Sequence, residues 1–290
     1  LQEMAEEGVV FTNHFCTAPT CSPSRASIMT GRYPHSHGIM GLTHRGWKYS
    51  KGEVDLPRIL NQSGYNTYLF GLQHEYSDIV GLAYQNVHLS SRSIEIAHLA
   101  SEFFRSSAKE KQPFFCSMGF LAVHRTFGPV YNPAILDKIK VPEFLPDVDV
   151  VRKDIATFYR NIEYADGAVG YILQSIKESK LEGNTLVFFT TDHGPEFPRA
   201  KMTLYDPGIK TALIMQYPGV LKAKRINELT SNVDILPTIL NVIGEKVPDN
   251  IQGGNFWPLL KGEKYSPREE VFAELTWHGL YDPVRVIRTK

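Results

Sequence analysis

Apolar residues recur at three-to-four spacing through Val151, Ile155, Phe158, Ile162, Ala165, Val169, Ile172 and Ile176. That period predicts one long amphipathic helix over Val151–Leu181, with Lys177 and Lys180 in its last turn and Gly183 ending it. Elsewhere the pattern shortens. Phe114–Phe120 and Thr185–Thr191 are continuous apolar runs, as expected of strands covered on both faces. Further strands are predicted from Val9, over Tyr65–Phe70, over Thr211–Gln216, over Val271–Leu275 and through Val284–Arg288. Shorter helices are predicted over Leu1–Gly8, Leu56–Ser63 and Ile94–Phe104, with another opening at Asp234 and ending at Gly244. Strands alternating with helices imply an α/β sandwich with a mostly parallel central sheet. Residues 126–150 carry Pro129, Pro133, Pro142 and Pro146 with little periodicity, and read as a long loop at the rim of a site.

The 290 residues are enough for one large α/β domain. Formal net charge is zero and no run of Lys or Arg occurs, which argues against a nucleic-acid protein. Any anionic ligand must therefore be gripped locally. Three cysteines do not make a disulfide framework. No stretch is apolar enough to span a membrane, and none has the pattern of a signal peptide.

The chemistry concentrates in Cys21-Ser22-Pro23-Ser24-Arg25, followed by Thr30-Gly31-Arg32. Pro23 suits a first helical turn, Ser22 or Ser24 can cap it, and Gly31 stops the helix. Cys21 would then sit at a helix N-terminus, where backbone N–H groups favour an anion. Alone, such a cysteine would be read as a structural thiol, for example bridged to Cys16. The full motif resembles that of the type I sulfatases, which use C-x-P-S-R and a downstream T-G-R, and the heparan N-sulfatase (sulfamidase) branch in particular.

The resemblance implies the alkaline-phosphatase-like fold and hydrolysis of sulfate esters or sulfamates on sulfated sugars of the glycosaminoglycan type. In that family the cysteine is oxidised to formylglycine, whose hydrated diol attacks sulfur with one oxygen and expels sulfate with the other. A formylglycine-generating or sulfatase-maturating enzyme is the implied partner, and an exported location is implied with it. Arg25 would steady the modified Cys21. Gly71-Leu72-Gln73-His74 matches the family's G-K-x-H, so His74 would assist sulfate release, with Leu72 in place of the bridging lysine. His124, followed by Arg125 as in the sulfamidases, would protonate the leaving group.

Asp192-His193-Gly194 matches the second metal motif of the family. An Asp at a strand end suits calcium, with magnesium the other candidate. His193 suits a softer ion, and either ligates or sits beside the metal. Cys21, once modified, would complete the set. Lys201, in Phe197-Pro198-Arg199-Ala200-Lys201, matches a basic sulfate contact. Arg199 could restore the charge lost at Leu72, so its exchange should abolish turnover. His278 is a candidate substrate contact. The Asp-Asp pair that sulfatases carry on an earlier strand does not precede Cys21, and the usual C-terminal subdomain does not follow. The expectation is therefore a sulfatase catalytic domain over residues 1–290, incomplete at both ends. The rival readings are a phosphoester or phosphonate hydrolase of the same superfamily, and a weakened sulfated-glycan binder.

Overall fold

The computed structural model describes residues 1–128 and 131–290; Pro129 of the expected loop lies outside them. A short helix α1 (Gln2–Glu7) leads into strand β1 (Val9–Phe15) and then into α2 (Cys21–Thr30) and α3 (Pro34–His37). Next come α4 (Leu56–Gln62), β2 (Asn66–Gly71), β3 (Asn86–His88), α5 (Ser93–Ser107) and β4 (Phe114–Gly119). The long helix α6 (Asp149–Glu178) precedes β5 (Val187–Thr190), α7 (Asp206–Ile209) and β6 (Lys210–Gln216). The remaining elements are β7 (Lys224–Ile226), β8 (Thr230–Ser231), α8 (Ile235–Ile243), α9 (Trp257–Lys261), β9 (Glu270–Trp277) and β10 (Tyr281–Thr289).

The apolar runs become strands because both of their faces are covered. On β4, Phe114, Cys116 and Met118 pack with Phe70, Ile96, Phe103, Phe104, Ile172 and Ile176 against α5 and α6. Phe115, one residue out of step, joins Ile28, Leu56, Leu60, Leu236 and Leu240 from α2, α4 and α8 on the other face. This is the two-residue alternation of a strand between helical layers. On β5, Val187 and Phe188 divide between the same two cores.

In one sheet β3, β2 and β4 run parallel, and in a second β1 runs parallel to β7 and β8. Strand β6 is the departure from a mostly parallel sheet, running antiparallel to both β1 and β5. The β5-to-β6 connection is mostly irregular and carries only the short α7 at its end, so it has no helix of the kind that usually packs on a sheet face in a parallel crossover. A separate antiparallel hairpin, β9–β10, completes the described residues.

The ends of β2 and β4 touch. The Leu72 N–H donates to the Gly119 carbonyl at 2.9 Å. A Cβ on Gly119 would stand 1.9 Å from the Leu72 carbonyl oxygen, and one on Gly71 (φ +85°) 2.3 Å from that of Gly119. Only glycine permits this approach. The segment after β4 is less irregular than expected. Pro133–Lys138 forms a 3-10 turn, and Ile139 and Leu145 pack with Ile155, Ala156, Phe197 and Ala200 in a small core. No described helix is long and apolar enough to cross a membrane.

Candidate active site

Cys21 opens α2, and Gly31 closes it in the left-handed conformation at φ 64°. The N-cap is Thr20, without a side-chain cap bond, rather than Ser22 or Ser24. Both serines are used to tie α2 down instead. Ser22 Oγ accepts from the Thr43 N–H at 3.2 Å, and Ser24 Oγ donates to the Asp192 carbonyl. Ser24 also accepts from Asn232 Nδ2 at 2.9 Å, and Asn232 Oδ1 lies 2.9 Å from Nε2 of the fully buried His14. A chain of buried, partnered polar groups thus runs from β1 to the backbone of Asp192.

Asp192 and His193 follow β5. The Cys21 Sγ lies 3.3 Å from His193 Nε2, and Arg25 Nε donates to Asp192 Oδ2 at 2.8 Å. Burial favours the neutral acid at Asp192, but His193 and Arg25 outweigh it and hold its pKa below the carboxylate range. Burial likewise opposes ionisation of Cys21, yet hydrogen bonding from His124, His193 and His74 brings its pKa down to about 3. The bond to Cys21 raises His124 in return. For His193, burial works against the cation and the Asp192 charge and Cys21 overcome it. Cys16, by contrast, is fully buried and unpaired, so no bridge to Cys21 forms.

Beyond β2 and β4, His74 Nε2 faces His44 Nδ1 at 3.0 Å, and His124 Nε2 faces Lys201 Nζ at 3.4 Å. Lys201 is buried and paired with Glu196 at 3.4 Å, which fixes a cation beside His124. Arg25, His74, His124, Asp192, His193 and Lys201 therefore gather around Cys21. His278, at the end of the β9–β10 hairpin, is lowered by burial and then by the charges of Lys201 and His193, so it also faces the cluster. Arg199 differs from these groups in burial. It is exposed, and its guanidinium lies 5.8 Å from the Tyr205 ring centre. Its φ of 63° lies in the left-handed region. Arg125 is likewise engaged, paired with Asp154 at 2.6 Å.

Four residues at or behind the site were not singled out from sequence. His44 sits in the short Thr43–Arg45 turn, where a histidine is more often inert. Glu196 stands four residues after Asp192 in the same turn, a spacing that could have flagged it. His14 and Asn232 lie far from any motif and carried no local signal.

The chain matches the sulfatase family over residues 1–245. It belongs to that family. An ulvan-active sulfatase of Formosa agariphila is 28% identical, over 92% of this chain and 51% of its own length. The human N-sulphoglucosamine sulphohydrolase is 29% identical, over 97% of this chain and 62% of its own. This sulfatase chain thus spans little more than half the length of those relatives. Among solved structures, a Bacteroides thetaiotaomicron protein of glycosaminoglycan metabolism superposes with a TM-score of 0.82 at 18% identity, covering 99% of this chain and 76% of its own. The phosphonate monoester hydrolase of Agrobacterium radiobacter gives 0.75 at 21% identity, over 95% and 74%. These likenesses establish the alkaline-phosphatase-like fold.

Cys21, Asp192 and His193 place one donor atom each within 4.8 Å of one another. They fit a divalent ion as a partial shell, with one carboxylate, one imidazole and the atom at residue 21. Among the described residues no further carboxylate joins them, so the trio alone falls short of the six to eight oxygens that calcium takes.

Proposed function

We propose that this chain forms the catalytic domain of a formylglycine-dependent sulfatase acting on sulfate esters or sulfamates of glycosaminoglycan-type sugars. The observation that carries the reading is the convergence of three imidazoles and a buried lysine on Cys21. The Cys21 Sγ stands where a hydroxyl of the hydrated formylglycine would be. In a chain without net charge, Lys201, Arg25 and the histidines supply a local positive field for the sulfate.

Residue 21, converted, attacks sulfur with one hydroxyl. Arg25, held against Asp192, keeps that residue's approach fixed. His124, beside Lys201, delivers a proton to the bridging oxygen or nitrogen, so that no alkoxide or amide anion has to leave. His74 takes the proton of the second hydroxyl as sulfate departs, with His44 at its Nε2 to share it. Lys201 holds a sulfate oxygen and His278 contacts the sugar. A divalent ion, calcium by family likeness with magnesium the alternative, would be held by Asp192, His193 and residue 21. When bound, it polarises sulfate oxygens and favours the ionised diol. Conversion of Cys21 calls for a formylglycine-generating or sulfatase-maturating enzyme and fits an exported protein.

The test is co-expression with such an enzyme, mass spectrometry of the Cys21 peptide, and parallel assays on N-sulfated glucosamine, aryl sulfate and aryl phosphate. Sulfate release by the converted chain, lost in Cys21→Ala, is expected. A converted chain that releases phosphate faster than sulfate, or releases neither, overturns the reading.

A further inference from the structure

Cys21, Asp192 and His193 form a donor set whose chemistry changes with the state of residue 21. We propose that, while residue 21 is still a thiol, these three side chains form a zinc-class site that prefers Zn²⁺ to Ca²⁺. This rests on the reading above only in taking Cys21 as the residue that is later converted.

The geometry is near that of a tetrahedral ion. Cys21 Sγ and His193 Nε2 are 3.3 Å apart, and His193 Nε2 and Asp192 Oδ1 are 3.8 Å apart. Sulfur and nitrogen bound to one tetrahedral zinc at their usual bond lengths stand about 3.5 Å apart. The site therefore needs little movement to close on an ion.

The orientation of each ligand is fixed from behind. His193 Nδ1 lies 2.7 Å from the Gly194 carbonyl, which can only accept a hydrogen bond. That partner holds a proton on Nδ1, so Nε2, which faces Sγ, is the nitrogen that binds an ion once the proton it shares with Sγ has left, as in metal-ligating histidines. Asp192 is held through Oδ2 by Arg25, while Oδ1, on the His193 side, accepts the His193 N–H at 3.1 Å. Ser24 fixes the Asp192 backbone. A chance contact would not bring supporting partners to both ligands.

The donor types decide the ion. Thiolate, imidazole and a single carboxylate oxygen suit zinc, with a fourth position left for solvent. Calcium gains little from sulfur or nitrogen. As the sulfur–metal bond forms, the proton shared by Cys21 Sγ and His193 Nε2 leaves to solvent. Conversion of Cys21 replaces the sulfur by oxygen and removes the soft ligand, so the same pocket then turns toward harder ions. Zinc on the unconverted chain also covers the sulfur that conversion must oxidise.

The experiment uses the 290-residue chain from a host without a converting enzyme, its free thiol confirmed by mass. Cobalt(II) serves as the spectroscopic stand-in for zinc. The expected result is a thiolate-to-cobalt charge-transfer band in the near ultraviolet, abolished by one equivalent of Zn²⁺ and untouched by about a hundredfold excess of Ca²⁺. Cys21→Ser should lose the band, and His193→Gln should weaken cobalt binding at least about tenfold. Asp192→Asn replaces His193→Gln if circular dichroism shows that the latter is misfolded. Absence of the band in the folded parent chain, its persistence in Cys21→Ser, or displacement by equimolar Ca²⁺ overturns the proposal. No sulfate ester enters the measurement, so a chain that fails as a sulfatase can still show the band, and the two failures are told apart.

Discussion

Helix α2 and the segment after β4 bring side chains to the same point by opposite means. Eight of the ten α2 residues are buried, and Ser24 is bonded on both sides, to Asn232 and to Asp192. His124 instead has a side chain 44% exposed, and its neighbour Arg125 is held by a half-exposed ion pair with Asp154. One part is positioned by buried, hydrogen-bonded serines, where a lost partner is expensive. The other is positioned by contacts that water can replace at little cost. Under the proposed function, the nucleophile's place is thus built into the core, while the proton donor's place can adjust to the leaving group.

The sharpest way to test that contrast is His124→Ala on the converted chain. Turnover of an aryl sulfate should fall about 10²–10⁴-fold while stability stays within about 0.5 kcal/mol of the parent. An equal loss of stability in urea unfolding would mean that the segment after β4 is as tightly held as α2.

Acid should act through the interior rather than the rim. Burial lowers His14 to about 4 and His37 to about 3, against an ordinary 6.5. Each takes up a proton on unfolding once the pH is below 6.5. Stability is therefore fully present above that pH and falls as it drops toward 4, by about 1.4 kcal/mol per pH unit for each histidine. His124 and His193, shifted upward, have the opposite sign and act above pH 6.5, where their contribution is lost as pH rises. Urea midpoints at pH 7, 6 and 5 check the slope, which His14→Gln should reduce.

Asn232→Ala should cost about 2 kcal/mol, because it leaves His14 and Ser24 buried without their shared partner. Equilibrium unfolding measures this, and a neutral result would remove the distinction between the two regions. Arg199→Ala closes the series. An exposed guanidinium on Tyr205 predicts a stability change below about 0.5 kcal/mol. Turnover should stay within about twofold, in contrast to the loss that its sequence position suggested; steady-state kinetics decide.

The layered fold was legible because β4 and β5 are continuous apolar runs and α6 keeps its period for thirty residues. The antiparallel entry of β6 was not, since the alternation of strands with helices does not show how a connection returns. At the site, Cys21, Asp192 and His193 were readable because motif spacing is local. Lys201 was readable in the same way; the exposure of Arg199 and its positive φ were not, because neither leaves a trace in residue type. His14 and Asn232 lie more than two hundred residues apart in sequence and meet only in the folded chain.

The stitch between Gly119 and Leu72 has a practical consequence for engineering. Position 72 holds the β2–β4 junction through its main chain alone. Its side chain can therefore be exchanged, for lysine among others, to retune the charge two residues before His74 without redrawing the sheet. Position 119 offers no such freedom: any substituent there would prise apart the two strands whose tips lead to His74 and His124.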